Sequence, residues 1–137
     1  MTTAIVNRAT ARIGREHYAV EVVAGGHKVL ADEPPARGGG GKGPTPYDLL
    51  LASLAACTAI TLRMYADRKE WDLQSLTVEL RHVHDDGGER IDRRLNLEGQ
   101  LSDEQRTRIA EIAERTPVTR ALKQGVSIIT RLQPPTA

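Results

Sequence analysis

Apolar residues are scattered thinly along the chain except between residues 43 and 71, GPTPYDLLLASLAACTAITLRMYADRKEW, where nearly every position from Leu49 to Ile60 is apolar or small. The stretch opens with a helix-start signal. Thr45 suits the N-cap, Pro46 the first helical position, and Asp48 follows Thr45 by three residues, as in a capping box. This predicts a helix over about 46–69, amphipathic in its second half, where Arg63, Asp67, Arg68 and Lys69 are polar. A helix apolar on all sides must be surrounded rather than laid on a surface. Asp48, Ser53, Thr58 and Thr61 interrupt the run and Arg63 ends it, so it reads as too short and too broken to span a membrane.

The flanking pattern has the period of strands. Residues 3–13 alternate weakly, with Ile5, Ala9, Ala11 and Ile13 apolar, and read as an edge-like strand. Residues 17–23 read as a second strand, Gly25–Gly26 as a hairpin turn, and 27–31 as the returning strand. Residues 32–46 hold prolines and a run of four glycines. They lack the spacing of a phosphate-binding loop, which leaves a flexible linker or the rim of an active site. Beyond the helix, 76–84 alternate with Leu76, Val78 and Leu80 on one face. Asp85–Asp86–Gly87–Gly88 makes a turn and 91–97 return. Ser102 and Gln105 form a second capping box before a helix to about residue 115. Thr116–Pro117 starts another helix, Gly125 stops it, and 126–132 predict a last strand. The order βββ-α-ββ-αα-β, with helices not interleaved strand by strand, argues for an α+β fold with antiparallel sheets.

A chain of 137 residues suggests one domain, 1–137. Aromatics are only 3% of it, with no Phe, so a second subunit is expected to help cover the apolar helix. Nineteen basic and 18 acidic residues leave a formal charge of +1, which offers no field for nucleic acid and no charge run for a membrane surface. No secretory leader is visible at residues 1–10, and a single cysteine forbids an intrachain disulfide. Both fit a cytoplasmic protein.

Cys57 is the first candidate for chemistry. Burial among Leu54, Ala55, Ala56 and Ile60 would make it an inert core residue, since burial opposes the thiolate. A reactive Cys57 needs a cation nearby, and Arg12, Arg15 and Arg37, in turns and loops, are the candidates. His82 and His84 share one strand face, but zinc needs three or four ligands and no partner pair has a recognisable spacing. Ser53 lacks a glycine-flanked elbow, and Asp85–Asp86 read as turn formers. No metal or other cofactor is expected.

Gly43–Pro44–Thr45–Pro46, the run 49–52, Ala55–Ala56–Cys57 and residues 58–61 resemble the OsmC/Ohr family, the osmotically inducible and organic hydroperoxide resistance proteins. Strand order matches over nearly the whole chain. Thr116–Pro117–Val118 sits where the family usually has Cys-Pro-Val. The resemblance implies an intertwined homodimer, with antiparallel sheets from both chains wrapped around two long central helices and reactive sites at the subunit interface. It also implies that Cys57 is the thiolate that attacks an organic hydroperoxide, leaving a sulfenic acid. An arginine, for which Arg15 is the choice, would favour the thiolate. Two positions depart from the family. Thr116 replaces the resolving cysteine and is not expected to be active. Tyr47 replaces a helix-start glutamate that holds the arginine, and Asp48 lies one residue off, about 100° round the helix. The leading expectation is an OsmC-like redox protein, at most a one-cysteine, thiol-dependent hydroperoxide reductase, with an external thiol as reductant. The alternatives are a non-catalytic member that binds a small apolar or thiol ligand at the interface, and a structural dimer with a core cysteine.

Overall fold

The computed structural model describes residues 3–136. The fold is α+β, with antiparallel strands and three α-helices among the described residues. The chain divides into two compact units, 1–52 and 53–137.

In the first unit β1 (Ala9–Arg12), β2 (Val20–Ala24) and β3 (His27–Ala31) form an antiparallel meander in that order. The weak alternation of 3–13 yields a strand of only four residues. Gly25 and Gly26, with φ of 55° and 83°, make the two-residue turn that brings Ala24 opposite His27. Positive φ at both positions is what such a tight hairpin requires.

The glycine-rich stretch is packed rather than a loose linker. After a single 3-10 turn, Pro35–Arg37, it wraps the Asp32 carboxylate, which is 1% exposed. That carboxylate accepts backbone N–H bonds from Glu33 at 2.7 Å, Tyr18 at 3.1 Å and Lys42 at 3.1 Å. Burial opposes its charge, but these bonds and one from Gly40 outweigh it and hold the carboxyl below its usual range. The glycines are there for room. A Cβ on Gly39 would lie 2.0 Å from the Glu33 carbonyl oxygen, and one on Gly43 would lie 2.1 Å from that of Leu30. Composition alone does not distinguish a loose glycine run from a tightly packed one.

The long helix α1 runs Pro46–Arg68 from the first unit into the second. Its capping box forms as the sequence predicts. The Asp48 N–H donates to Thr45 Oγ1 at 3.1 Å, and the Thr45 N–H donates to Asp48 Oδ2 at 3.0 Å. It ends where Glu70 takes a left-handed φ of 58° and the Trp71 N–H reaches back to the Ala66 carbonyl at 2.9 Å.

The second unit adds the hairpin β4 (Asp72–Asp85) and β5 (Gly88–Gln100), then α2 (Asp103–Ala113) and α3 (Pro117–Gln124). Leu76, Val78 and Leu80 of β4 are half-buried on the predicted face. Ser102 and Gln105 make both bonds of the α2 capping box. Leu62, Ile109 and Ala113 form the buried centre, flanked by Trp71, Leu76, Leu95, Leu97, Leu101 and Ile112.

Three expectations change. First, α1 buries only Leu54, Thr58, Leu62 and Ala66. A spacing of four is one stripe of a helix, not its circumference. Ile60 and Met64 stay 55% and 60% exposed, so this chain alone does not surround the helix. Second, α1 runs 23 residues and holds an 18-residue window of mean hydropathy 1.6, so it is long and apolar enough to cross a bilayer by length and composition. The run is therefore not too short, because the helix continues past its polar interruptions. Part of it packs inside the second unit, where Leu62 and Ala66 are fully buried. Third, residues 126–132 form no strand, and Val126, Ile128, Ile129 and Leu132 are 69% to 99% exposed. A strand needs a neighbour for its N–H and C=O groups, and no described strand supplies one to this segment.

Candidate functional site

Cys57 is half-buried on α1. Its sulfur accepts a hydrogen bond from the Val118 N–H at 3.5 Å. Val118 is the second residue of α3, so this N–H is one of the donors that a helix start leaves without an intrahelical partner. Thr116 occupies the N-cap position, yet its side chain makes no cap bond. The Cys57 sulfur takes the place of a cap.

The Thr116 hydroxyl is engaged elsewhere. Thr116 is fully buried, and its Oγ1 lies 2.6 Å from Thr119 Oγ1. Thr119 Oγ1 also lies 3.3 Å from the Ala113 carbonyl, and either hydroxyl can supply the proton between the two threonines. Thr58, the neighbour of Cys57, is also fully buried and donates to the Leu54 carbonyl at 2.7 Å. Both Thr58 and Thr119 then have oxygen lone pairs to fill, and one group fills them. Arg93 Nη1 donates to Thr58 Oγ1 at 3.0 Å and to Thr119 Oγ1 at 2.9 Å.

The Arg93 side chain is 13% exposed. Its Nη2 lies 3.7 Å from Glu114 Oε1. Glu114 titrates below its usual range, first because Lys123 donates to it and then because Arg93 adds positive charge, against some burial. The result is a polar cluster that crosses from α1 through β5 to α3. Among the described residues no buried side-chain nitrogen or oxygen lacks a partner.

Sequence reasoning missed Arg93 because it looked for cations in turns and loops. The signal was its register. Ile91, Arg93, Leu95 and Leu97 share one face of β5 at a spacing of two, all at least half-buried, while Arg94 and Asn96 face out. A charge in an apolar alternation marks an inward arginine.

The other candidates are placed as follows. Arg15 is exposed in the bend between β1 and β2, in the first unit, and its side chain makes no ion pair among the described residues. Asp48 is committed to its capping box, and Tyr47 is 42% exposed at the start of α1. His82 Nε2 lies 2.6 Å from Glu89 Oε1 across the hairpin. No group of three or more His, Cys, Asp or Glu among the described residues is arranged to hold a metal ion.

A cysteine at mid-helix, met by the start of a later Thr-Pro helix, is the arrangement to compare with known proteins. The family model for OsmC-like proteins matches residues 39–131, which include α1, the hairpin and both later helices. The chain belongs to the OsmC-like family. No curated protein sequence gives a match to it. Solved structures do. An OsmC-like protein of Mycoplasma pneumoniae superposes with a TM-score of 0.75 at 20% identity, covering 90% of this chain and 91% of that one. An organic hydroperoxide resistance protein OsmC of Legionella pneumophila gives 0.65 at 23% identity, with 89% and 92% covered. OhrB of Bacillus subtilis, an organic hydroperoxide resistance protein, gives 0.59 at 24% identity, with 88% and 93% covered. At these identities the OsmC-like chain shares a fold with them.

Proposed function

We propose that this OsmC-like chain is a one-cysteine, thiol-dependent organic hydroperoxide reductase, acting through Cys57 as a cytoplasmic homodimer of single-domain subunits. The observation that carries the reading is the Val118 N–H donating to the Cys57 sulfur at the start of α3. Partial positive charge at a helix start suits a sulfur that must bear negative charge before it can attack. The thiolate takes the outer oxygen of the hydroperoxide and the O–O bond breaks. The leaving alkoxide collects a proton and departs as an alcohol, and Cys57 is left as sulfenic acid. With no second cysteine in the chain, an external thiol attacks the sulfenic sulfur and water leaves. A further thiol then releases Cys57 by exchange. Thr116 stands where the family's resolving cysteine would be, its hydroxyl engaged with Thr119. Arg15 remains the proposed cation that favours the thiolate, and no metal or other cofactor takes part.

Cumene hydroperoxide is expected to convert Cys57 to a sulfenic acid, trapped by a dimedone-type reagent and located by peptide mass spectrometry. A Cys57 left unmodified after prolonged exposure would reject the enzyme.

The homodimer has its own support in the uncovered apolar surface of the second unit: Ile60 and Met64 of α1, and Val126, Ile128, Ile129 and Leu132 beyond α3. A second copy that buries this surface explains why an apolar helix is covered on one stripe only. Light scattering is expected to return twice the mass of the chain at micromolar concentration, and a monomeric mass would remove this part of the reading.

One observation favours a second reading. A candidate organic hydroperoxide resistance protein of Vibrio cholerae, similar in fold at a TM-score of 0.64 and 23% identity, holds captopril in one of its active sites. A non-catalytic member would bind such a thiol compound and form no sulfenic acid. Native mass spectrometry with captopril, run beside the sulfenic acid trap, separates the two.

A further inference from the structure

The contact between Cys57 and α3 depends on how α3 is held, and the covalent chain does not hold it closely. Cys57 and Val118 are 61 residues apart in sequence, and their bond is a single N–H to sulfur contact of 3.5 Å. One weak bond of that length does not fix the direction of a helix. Next to it runs a stronger link. Arg93 Nη1 joins Thr58, one residue after Cys57, to Thr119, one residue after Val118, with bonds of 3.0 and 2.9 Å. The two links are parallel, each one residue further along the same two helices.

We propose that Arg93 is a positioning residue for Cys57: its two bonds fix α3 in register with α1 and so aim the Val118 N–H at the sulfur. This rests on the reading of Cys57 as the reacting thiol, and it gives Arg93 a part in that chemistry without contact to the hydroperoxide. Arginine suits the task because one nitrogen of its rigid fork presents two hydrogens to two acceptors. Both acceptors are buried hydroxyls that also reach backbone carbonyls, Thr58 that of Leu54 and Thr119 that of Ala113. Arg93 has no acceptor of its own, so it is the donor in both bonds of the bridge. Glu114, beside Nη2, steadies the guanidinium from the end of α2.

The test uses Arg93→Met, which keeps the apolar stem and removes the donors, and Thr119→Val, which cuts the bridge at α3 with little change in volume. Two quantities are read in the folded variants, shown folded by circular dichroism. One is hydrogen exchange at the Val118 amide. The other is the rate of sulfenic acid formation at Cys57 with cumene hydroperoxide. Both variants are expected to expose the Val118 amide to exchange and to slow Cys57 oxidation about tenfold to a hundredfold, the size of effect that small misplacements of reacting groups produce. Thr119→Ser, which keeps the hydroxyl, is expected to restore both. A folded Arg93→Met protein with an unchanged Val118 amide and an unchanged rate overturns the proposal. If Arg93→Met does not fold, Thr119→Val decides by the same criteria. If wild-type Cys57 forms no sulfenic acid at all, the hydroperoxide reading fails, while Val118 exchange in the variants still reports whether Arg93 places α3.

Discussion

In a Thr116→Cys variant exposed to an organic hydroperoxide, both thiols are expected to disappear as an intramolecular disulfide forms with Cys57. The wild-type chain, with its single cysteine, is expected instead to gain one oxygen and hold it until an external thiol arrives. The reason is placement. Thr116 starts the helix whose Val118 N–H touches the Cys57 sulfur, so a thiol at 116 would be tethered beside the sulfenic acid rather than free in solution. Tethering gives an effective concentration of about millimolar or more, well above that of most dilute thiols in an assay. The balance is simple: the new thiolate attacks the sulfenic sulfur, the S–O bond breaks, and water leaves. Intact-protein mass distinguishes the outcomes, since the variant loses two hydrogens where the wild type gains an oxygen. Turnover is then expected to move from monothiols toward dithiol reductants, which reopen a disulfide by exchange. A sulfenic acid that persists in the variant beside an unreacted second thiol would show that 116 is not a resolving position. Some stability is lost with the substitution, because the hydrogen bond between the Thr116 and Thr119 hydroxyls is removed.

Gly39→Ala is expected to be the most damaging small substitution in the first unit. The added methyl would meet the Glu33 carbonyl oxygen at 2.0 Å, its carbon at 2.6 Å and Asp32 Oδ1 at 2.8 Å. Two of these are backbone atoms that cannot rotate away. Moving them pulls Glu33 from the Asp32 carboxylate, to which the Glu33 N–H donates at 2.7 Å. A cost of about 3 kcal/mol, at the upper end for overpacking, is expected in urea unfolding. Gly14→Ala is the control, since a Cβ there meets nothing within 4 Å, and its midpoint is expected to stay near wild type. A Gly39→Ala protein with a wild-type midpoint would show that the loop is not packed around Asp32. The same carboxylate carries a pH dependence. Its folded value is lowered, so it stabilises the loop above the ordinary carboxylate range and loses that contribution as pH falls through the lowered value.

Local signals were read well because their physics is local. The capping boxes at Thr45–Asp48 and Ser102–Gln105 lie within four residues, and both formed. The Gly25–Gly26 hairpin likewise needs only its own two φ angles and its flanking strands. The predicted strand at 126–132 failed for the opposite reason. Its apolar content was legible, but a strand is made by its neighbour, and sequence names no neighbour. The glycine run was misread for a related reason. Whether a glycine is loose or wedged depends on what stands where its Cβ would be, and at Gly39 and Gly43 that is backbone from residues 33 and 30.

The site divides in the same way. From sequence alone came the α+β class, the long helix with its start, and Cys57 as the position where chemistry was to be sought, each resting on residue identity and short spacing. Thr116 came from the family resemblance, as the residue in the resolving position and not expected to be active. Tertiary structure alone decided that the Val118 N–H meets the Cys57 sulfur and that Thr116 turns to Thr119. It also decided that Arg93 on β5 bridges Thr58 and Thr119. These contacts join residues 26 to 61 positions apart, except for the threonine pair. Hydrogen bonds act over a few ångströms of space, and no periodicity in the chain states which distant segments will meet.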